Sequence, residues 1–151
     1  SETETAAAIR EQGGLVGLPH QYDGFSSSGG SQAGEAEQKL EELATIVDYV
    51  EAHNARAYRD ANPLAGAFAE RHGLPRVASS DAHSITELGV ASTVLPGPFS
   101  TAQELLSLLP RAEITPGRAS YYVRLWTPVA KLVNRTRGNG RIRPTTSKAV
   151  S

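Results

Sequence analysis

Three short apolar runs each end in a polar group able to do chemistry, and a helical pattern separates each run from the next. This alternation limits the possible folds more than any other feature of the chain. The runs are residues 15–20 (LVGLPH), residues 49–54 (YVEAHN) and residues 76–80 (RVASS), the last leading into Asp81-Ala82-His83. Between the first two, residues 35–48 place Leu40, Leu43, Ile46 and Val47 at helical spacing with acids on the other face. Between the second and third, residues 60–72 read as a helix with Asp60 or Asn62 as its cap. Pro63 is tolerated in its first turn, and Gly73 and Pro75 stop it. Strands alternating with helices predict parallel βαβ units, hence an α/β fold.

The flanking segments are less regular. Residues 2–12 predict a helix, with Glu2 and Glu4 at its positive end and Gly13-Gly14 closing it. Residues 22–34 are a Gly/Ser-rich loop. After residue 88 the pattern predicts a strand over Val90 to Leu95, a turn at Pro96-Gly97-Pro98, and a short helix over Thr101 to Leu109 capped by Ser100. Tyr121 to Asn134 carries an apolar stripe interrupted by Pro128, and disorder is expected from Thr136 onward.

In parallel α/β folds, ligands bind at the carboxyl ends of the strands. Here those ends carry His20, the pair His53-Asn54, and Asp81 with His83. In extended backbone, residues i and i+2 point to the same side. Asp81 and His83 therefore converge, and a carboxylate with an imidazole suits Zn²⁺, Mn²⁺ or Fe²⁺. His20 can join them from its own strand. Plainer roles stay open: Asp81 as a helix cap, His20 as a turn residue. His72, in the last turn before Gly73, reads as structural. Only one of His53 and Asn54 can face the interior, and the pattern favours Asn54.

Composition removes several classes. The 151 residues contain no cysteine, which excludes disulfides, a cysteine nucleophile, thiolate zinc sites and iron–sulfur clusters. No run approaches the ~20 apolar residues of a membrane span, and no signal sequence opens the chain, so a cytoplasmic protein is the default. There is no G-x-S-x-G elbow and no phosphate-binding G-x-x-x-x-G-K-[ST] loop. Charge is lopsided. Residues 1–113 hold all 16 acids and 7 bases, whereas residues 114–151 hold 8 bases and no acid. That basic tail makes nucleic-acid binding a weaker alternative, since it lacks stacking aromatics near its end.

Several segments resemble the PHP family, named for polymerase and histidinol phosphatase domains. Residues 13–23 (GGLVGLPHQYD) are similar to its GGL-hydrophobic-PHPFD segment, and residues 51–56 (EAHNAR) to its E-hydrophobic-x-NAR strand. Residues 72–83 (HGLPRVASSDAH), followed by Glu87-Leu88-Gly89, resemble GLPxVAxSDAHxxxELG. The likeness runs from about residue 9 to about residue 135 and includes Ala130-Lys131-Leu132. It implies a distorted parallel β/α barrel with two or three divalent metals (zinc, manganese or iron) at the strand ends. The implied activity is hydrolysis of phosphomonoesters or nucleotide phosphodiesters, so the implied partner is a phosphorylated small molecule or a nucleotide. By the same resemblance, His20, Asp81 and His83 match late metal ligands, and Asn54 and Arg56 match an element that shapes or neutralises the substrate side. Arg56 could equally pair with Glu87.

A complete PHP domain opens with His-x-His and further His and Glu ligands. This chain has four histidines, none before His20, and no methionine. The expectation is therefore the C-terminal half of a PHP-type barrel over residues 1–135, lacking its N-terminal half, followed by the basic tail 136–151. The alternative is a non-catalytic PHP-like module for interaction or regulation.

Overall fold

The computed structural model describes residues 1–22, 31–58, 60–119, 133 and 136, with the side chains of 31–33 set aside. The chain divides into two units, residues 1–119 and 120–151. Of the second, only Val133 and Thr136 are described, with the Thr136 hydroxyl donating to the Val133 carbonyl at 2.9 Å. The expected apolar stripe over Tyr121 to Asn134 and the tail 136–151 thus lie almost wholly outside the described residues.

The first unit begins with helix α1, Glu2–Glu11, closed by a capping box in which Ser1 and Glu4 satisfy each other's backbone N–H groups. Strand β1 covers only Gly17–Leu18, shorter than the six-residue apolar run suggests. Asp48 is the reason. Its backbone N–H donates to the Val16 carbonyl at 2.7 Å and its carboxylate accepts the Val16 N–H at 2.7 Å. A side chain thus takes the place of a further ladder bond. Helix α2 spans Ser31–Ala44, starting and ending four residues earlier than its hydrophobic pattern indicates. It unwinds into the run Thr45-Ile46-Val47, whose branched Cβ atoms disfavour helix.

Strand β2 is Tyr49–Asn54, helix α3 is Ala61–Arg71 and strand β3 is Arg76–Ser79. The three strands form one parallel sheet in the order β1-β2-β3, as the alternation predicts. The α3 cap is a correction. Asp60 makes no side-chain cap bond, and Asn62 turns back instead to the end of β2. Leu40 of α2, Val50 of β2, and Phe68 and Ala69 of α3 form the buried core, flanked by Leu18, Tyr22, Leu43 and Leu74. The Tyr22 ring meets Phe68 edge-on at 6.3 Å.

Past β3 the pattern changes. A 3₁₀ turn over Ile85–Glu87 leads to β4, Ser92–Val94; α4 is Ala102–Leu108, and β5 is Glu113–Thr115. Thr101, not Ser100, caps α4, through a capping box with Glu104. Strands β4 and β5 pair antiparallel in a separate two-stranded sheet, and the sequence pattern does not reveal β5. This sheet docks on the outer edge of β3 through hydroxyls. Thr93 Oγ1 accepts from the Ala78 N–H at 2.8 Å and donates to the Ala78 carbonyl at 3.1 Å, and the Ser80 hydroxyl donates to the Ala91 carbonyl at 2.9 Å. Among the described residues, the fold is a mixed α/β unit with a small parallel sheet, and no barrel closes. Phe68 is 1 % exposed at the centre of the core. Replacing it with Ala should lower the unfolding free energy by about 3–5 kcal/mol in urea titrations.

Candidate functional site

Because β1, β2 and β3 are parallel, their carboxyl ends share one edge. His20 follows β1, Asn54 ends β2, and Asp81 and His83 follow β3. The only two non-glycine residues with positive φ among those described are His20, at 27°, and Asp81, at 46°. Left-handed backbone costs a non-glycine residue on the order of 1–3 kcal/mol and persists only where its surroundings enforce it.

The left-handed turn at Asp81 corrects one expectation. Asp81 and His83 do not approach each other by strand alternation, because β3 ends at Ser79. They meet through a turn. His83 Nδ1 lies 2.8 Å from the Asp81 carbonyl and 3.8 Å from Asp81 Oδ1. A carbonyl oxygen only accepts, so in the neutral ring Nδ1 carries the proton and Nε2 keeps its lone pair. A metal-ligating imidazole is commonly held in this way.

Two buried carboxylates support this edge. Glu51, on the middle strand, is 9 % exposed. Its Oε2 accepts the His20 N–H at 2.8 Å and Asn54 Nδ2 at 3.1 Å, and its Oε1 accepts the Ser79 hydroxyl. A bulge at Ala52 shifts the register between Glu51 and His53, and Val50, Glu51, Ala52 and Asn54 are all buried. Glu87, at 1 % exposure, accepts Arg56 Nη1 at 2.5 Å, the His83 N–H at 2.9 Å and the Ser84 hydroxyl at 3.2 Å. Burial pushes its carboxyl up, but the His83 N–H, the Arg56 guanidinium and the Ser84 hydroxyl more than offset this and hold it below the usual range.

The remaining sequence-selected residues fall behind this edge. Asn54 faces inward, 2 % exposed, with Nδ2 on Glu51 and Oδ1 accepting the Arg56 N–H at 2.8 Å. Arg56 pairs with Glu87, the second of the roles its sequence allows. His53 is engaged at both nitrogens: Asn62 Nδ2 lies 3.3 Å from Nδ1, and Nε2 lies 3.0 Å from the Gly117 carbonyl. Gly117 must be glycine for this approach, since a Cβ there would lie 1.5 Å from the Val90 carbonyl oxygen. His72 packs on Phe68 with ring centroids 4.6 Å apart and faces Glu41 at 3.0 Å, at the far end of α3. A groove lined by Gly73, Pro75, Arg76, Leu109 and Ile114 opens at the start of β3, the opposite edge from the candidate site.

The chemistry of the Asp81/His83 pair fits a divalent cation, one carboxylate oxygen beside one imidazole nitrogen with a lone pair. Among the described residues, however, no three His, Asp or Glu side chains come together as a metal-holding group. Glu51 and Glu87 are buried and accept hydrogen bonds from the chain itself on both oxygens, and neither joins Asp81 and His83 in such a group.

Breaking the buried pair should be costly. Arg56→Met should reduce stability by about 3–5 kcal/mol, because Glu87 would stay buried without its counter-charge. Adding Glu87→Gln should recover part of that loss in equilibrium unfolding. Glu87 also sets a pH dependence. Its folded carboxyl lies below the ordinary 4.5, so the unfolded chain takes up the proton first. The stability Glu87 contributes should be complete above the ordinary value and vanish as pH falls through the lower folded value. Unfolding of the wild type from pH 7 to pH 3 should show this slope, and Glu87→Gln should remove Glu87's share.

Among the described residues, no helix is long and apolar enough to cross a membrane. No curated protein and no solved structure matches the chain. The family model PHP_C, described as PHP-associated, matches residues 59–114, a stretch that takes in α3, β3, the Asp81–His83 turn and Glu87 and leaves out Glu51 and His20. Residues 59–114 are therefore similar to a PHP-associated domain.

Proposed function

We propose that this chain supplies part of the centre of a metal-dependent phosphoesterase of the PHP type. The substrate would be a phosphomonoester or a nucleotide phosphodiester. The observation that carries this reading is the Asp81/His83 turn, with His83 Nδ1 committed to a backbone carbonyl and Nε2 left as a donor at the ligand-binding edge of a parallel sheet. The PHP-associated match over the same turn supports it.

In this reading Asp81, His83 and His20 hold zinc, manganese or iron, and further donors come from outside the described residues. A divalent ion bound there supplies Lewis-acid polarisation of the phosphoryl group and lowers the pKa of bound water. The chain's own residues fix the geometry. Asp81 anchors the His83 ring through its carbonyl, and the buried Glu87 accepts the His83 N–H and keeps the turn closed. Asn54 and Arg56 shape the substrate side from behind, through Glu51 and Glu87. The small parallel sheet is, in this reading, part of the distorted barrel of that family.

The test is Asp81→Ala in the full protein, with His72→Ala as a control away from the edge. Bound metal and hydrolysis of a chromogenic phosphate ester should fall to background together in Asp81→Ala and stay unchanged in His72→Ala. Full hydrolysis by Asp81→Ala would overturn the assignment. The absence of a three-donor group among the described residues favours a second reading, a PHP-like module without catalysis. A wild-type protein that binds no metal and hydrolyses no ester would establish that reading instead.

A further inference from the structure

Glu51 belongs to neither the sequence-selected site nor the PHP-associated stretch. Its carboxylate nevertheless reaches the chain at all three strand ends: His20 after β1, Asn54 of β2 and Ser79 of β3. It stands on the middle strand, and neighbouring strands lie ~4.8 Å apart, so the outer strands carrying His20 and Asp81 are separated by roughly 10 Å. One oxygen of Glu51 holds the backbone of His20 on one side. The other takes the hydroxyl of Ser79, two residues before Asp81, on the opposite side. Asn54 fastens the carboxylate to its own strand. The two left-handed residues, His20 and Asp81, are those whose strands this carboxylate ties down.

We infer that Glu51 is a positioning residue that sets the spacing and backbone conformation of His20 relative to the Asp81/His83 turn; this rests on the metal-site reading of these three residues. The role assigned to Glu51 is exercised through its hydrogen bonds, which both oxygens accept from the chain's own donors. A glutamine can reproduce the set. Its carbonyl oxygen can accept from His20 and Asn54, and its amide can donate to Ser79, whose hydroxyl can reverse. An alanine cannot.

The experiment titrates the full chain with Zn²⁺ alone and follows the imidazole signals of His20 and His83 by NMR, with His53 and His72 as internal references. Amide exchange at His20 is recorded in parallel. In the wild type, His20 and His83 should respond at one common midpoint. In Glu51→Ala, His20 amide exchange should accelerate and the Zn²⁺ midpoint should rise about 10–100-fold, the usual effect of losing a residue that orients ligands. Glu51→Gln should stay close to the wild type. If Glu51→Ala does not fold, Ser79→Ala removes the β3 contact alone and should raise the midpoint up to about 10-fold while leaving His20 protected.

Faster His20 exchange with an unchanged midpoint would overturn the inference, leaving Glu51 a purely structural tie. A midpoint in Glu51→Gln as weak as in Glu51→Ala would also overturn it, since charge rather than hydrogen bonding would then be at work. A wild type whose His20 and His83 signals ignore Zn²⁺ would refute the metal-site reading, and the positioning role with it. That outcome is recognisable because it appears before any substitution.

Discussion

A buried carboxyl group in the middle of a parallel sheet must find hydrogen-bond partners, and at Glu51 they come from the ends of three neighbouring chain segments. An isolated buried carboxylate costs several kcal/mol. Glu51 draws its partners from β2, from the end of β3 and from the residue that follows β1 by two, so its burial is best compensated when all three strands are in place. The dependence runs both ways. Strand β1 has only two residues in the ladder, and the chain on either side of it is fastened by acids from the β2 region. Asp48 takes the Val16 N–H before the strand and Glu51 takes the His20 N–H after it. A strand this short gains little from backbone pairing alone, and the two carboxylates supply much of its attachment.

Glu87 plays a comparable part on the other side of the edge but by a different means. Its negative charge is balanced by Arg56, and its second oxygen organises the turn that carries His83. The two acids thus divide the task. One fixes where the strands end and the other fixes the turn that leaves the last of them. Both are internal to the protein, so the exposed chemistry at this edge falls to His20, Asp81 and His83.

Much of the backbone was legible because it rests on local patterns. The βαβ alternation, the bounds of β2 and the helix α1 follow from apolar periodicity and from stop residues such as Gly73 and Pro75. The parallel order follows from the helices between strands. Strand β5 was not legible, because Glu113-Ile114-Thr115 has one apolar residue and gains its place from pairing with β4. The geometry of the Asp81/His83 turn was misjudged because positive φ at an aspartate has no dependable sequence signal. Asn62 read equally well as a cap, and only the nearby end of β2 decides its role. Arg56 with Glu87 was legible as a charge pair. Glu51 was not, since an acid inside YVEAHN reads as solvent-facing, whereas β2 is the middle strand and is buried at Val50 and Glu51 alike. A useful signal would have been an acid centred in a run otherwise poor in charge.

The contact between His53 and Gly117 bears on the order in which the molecule assembles. The parallel strands and the helices between them all lie within the first 80 residues and are joined by consecutive segments. The His53 ring finds its Gly117 carbonyl only across 64 residues of chain. Closing so long a loop carries an entropic penalty that grows slowly with length but is met only when the second sheet has formed. Until then His53 Nε2 lacks the Gly117 backbone as its partner. The end of β2, where the candidate edge begins, is therefore completed only by residues far along the chain. A ribosome-bound chain that has exposed the whole parallel sheet would still be waiting for residue 117 to emerge.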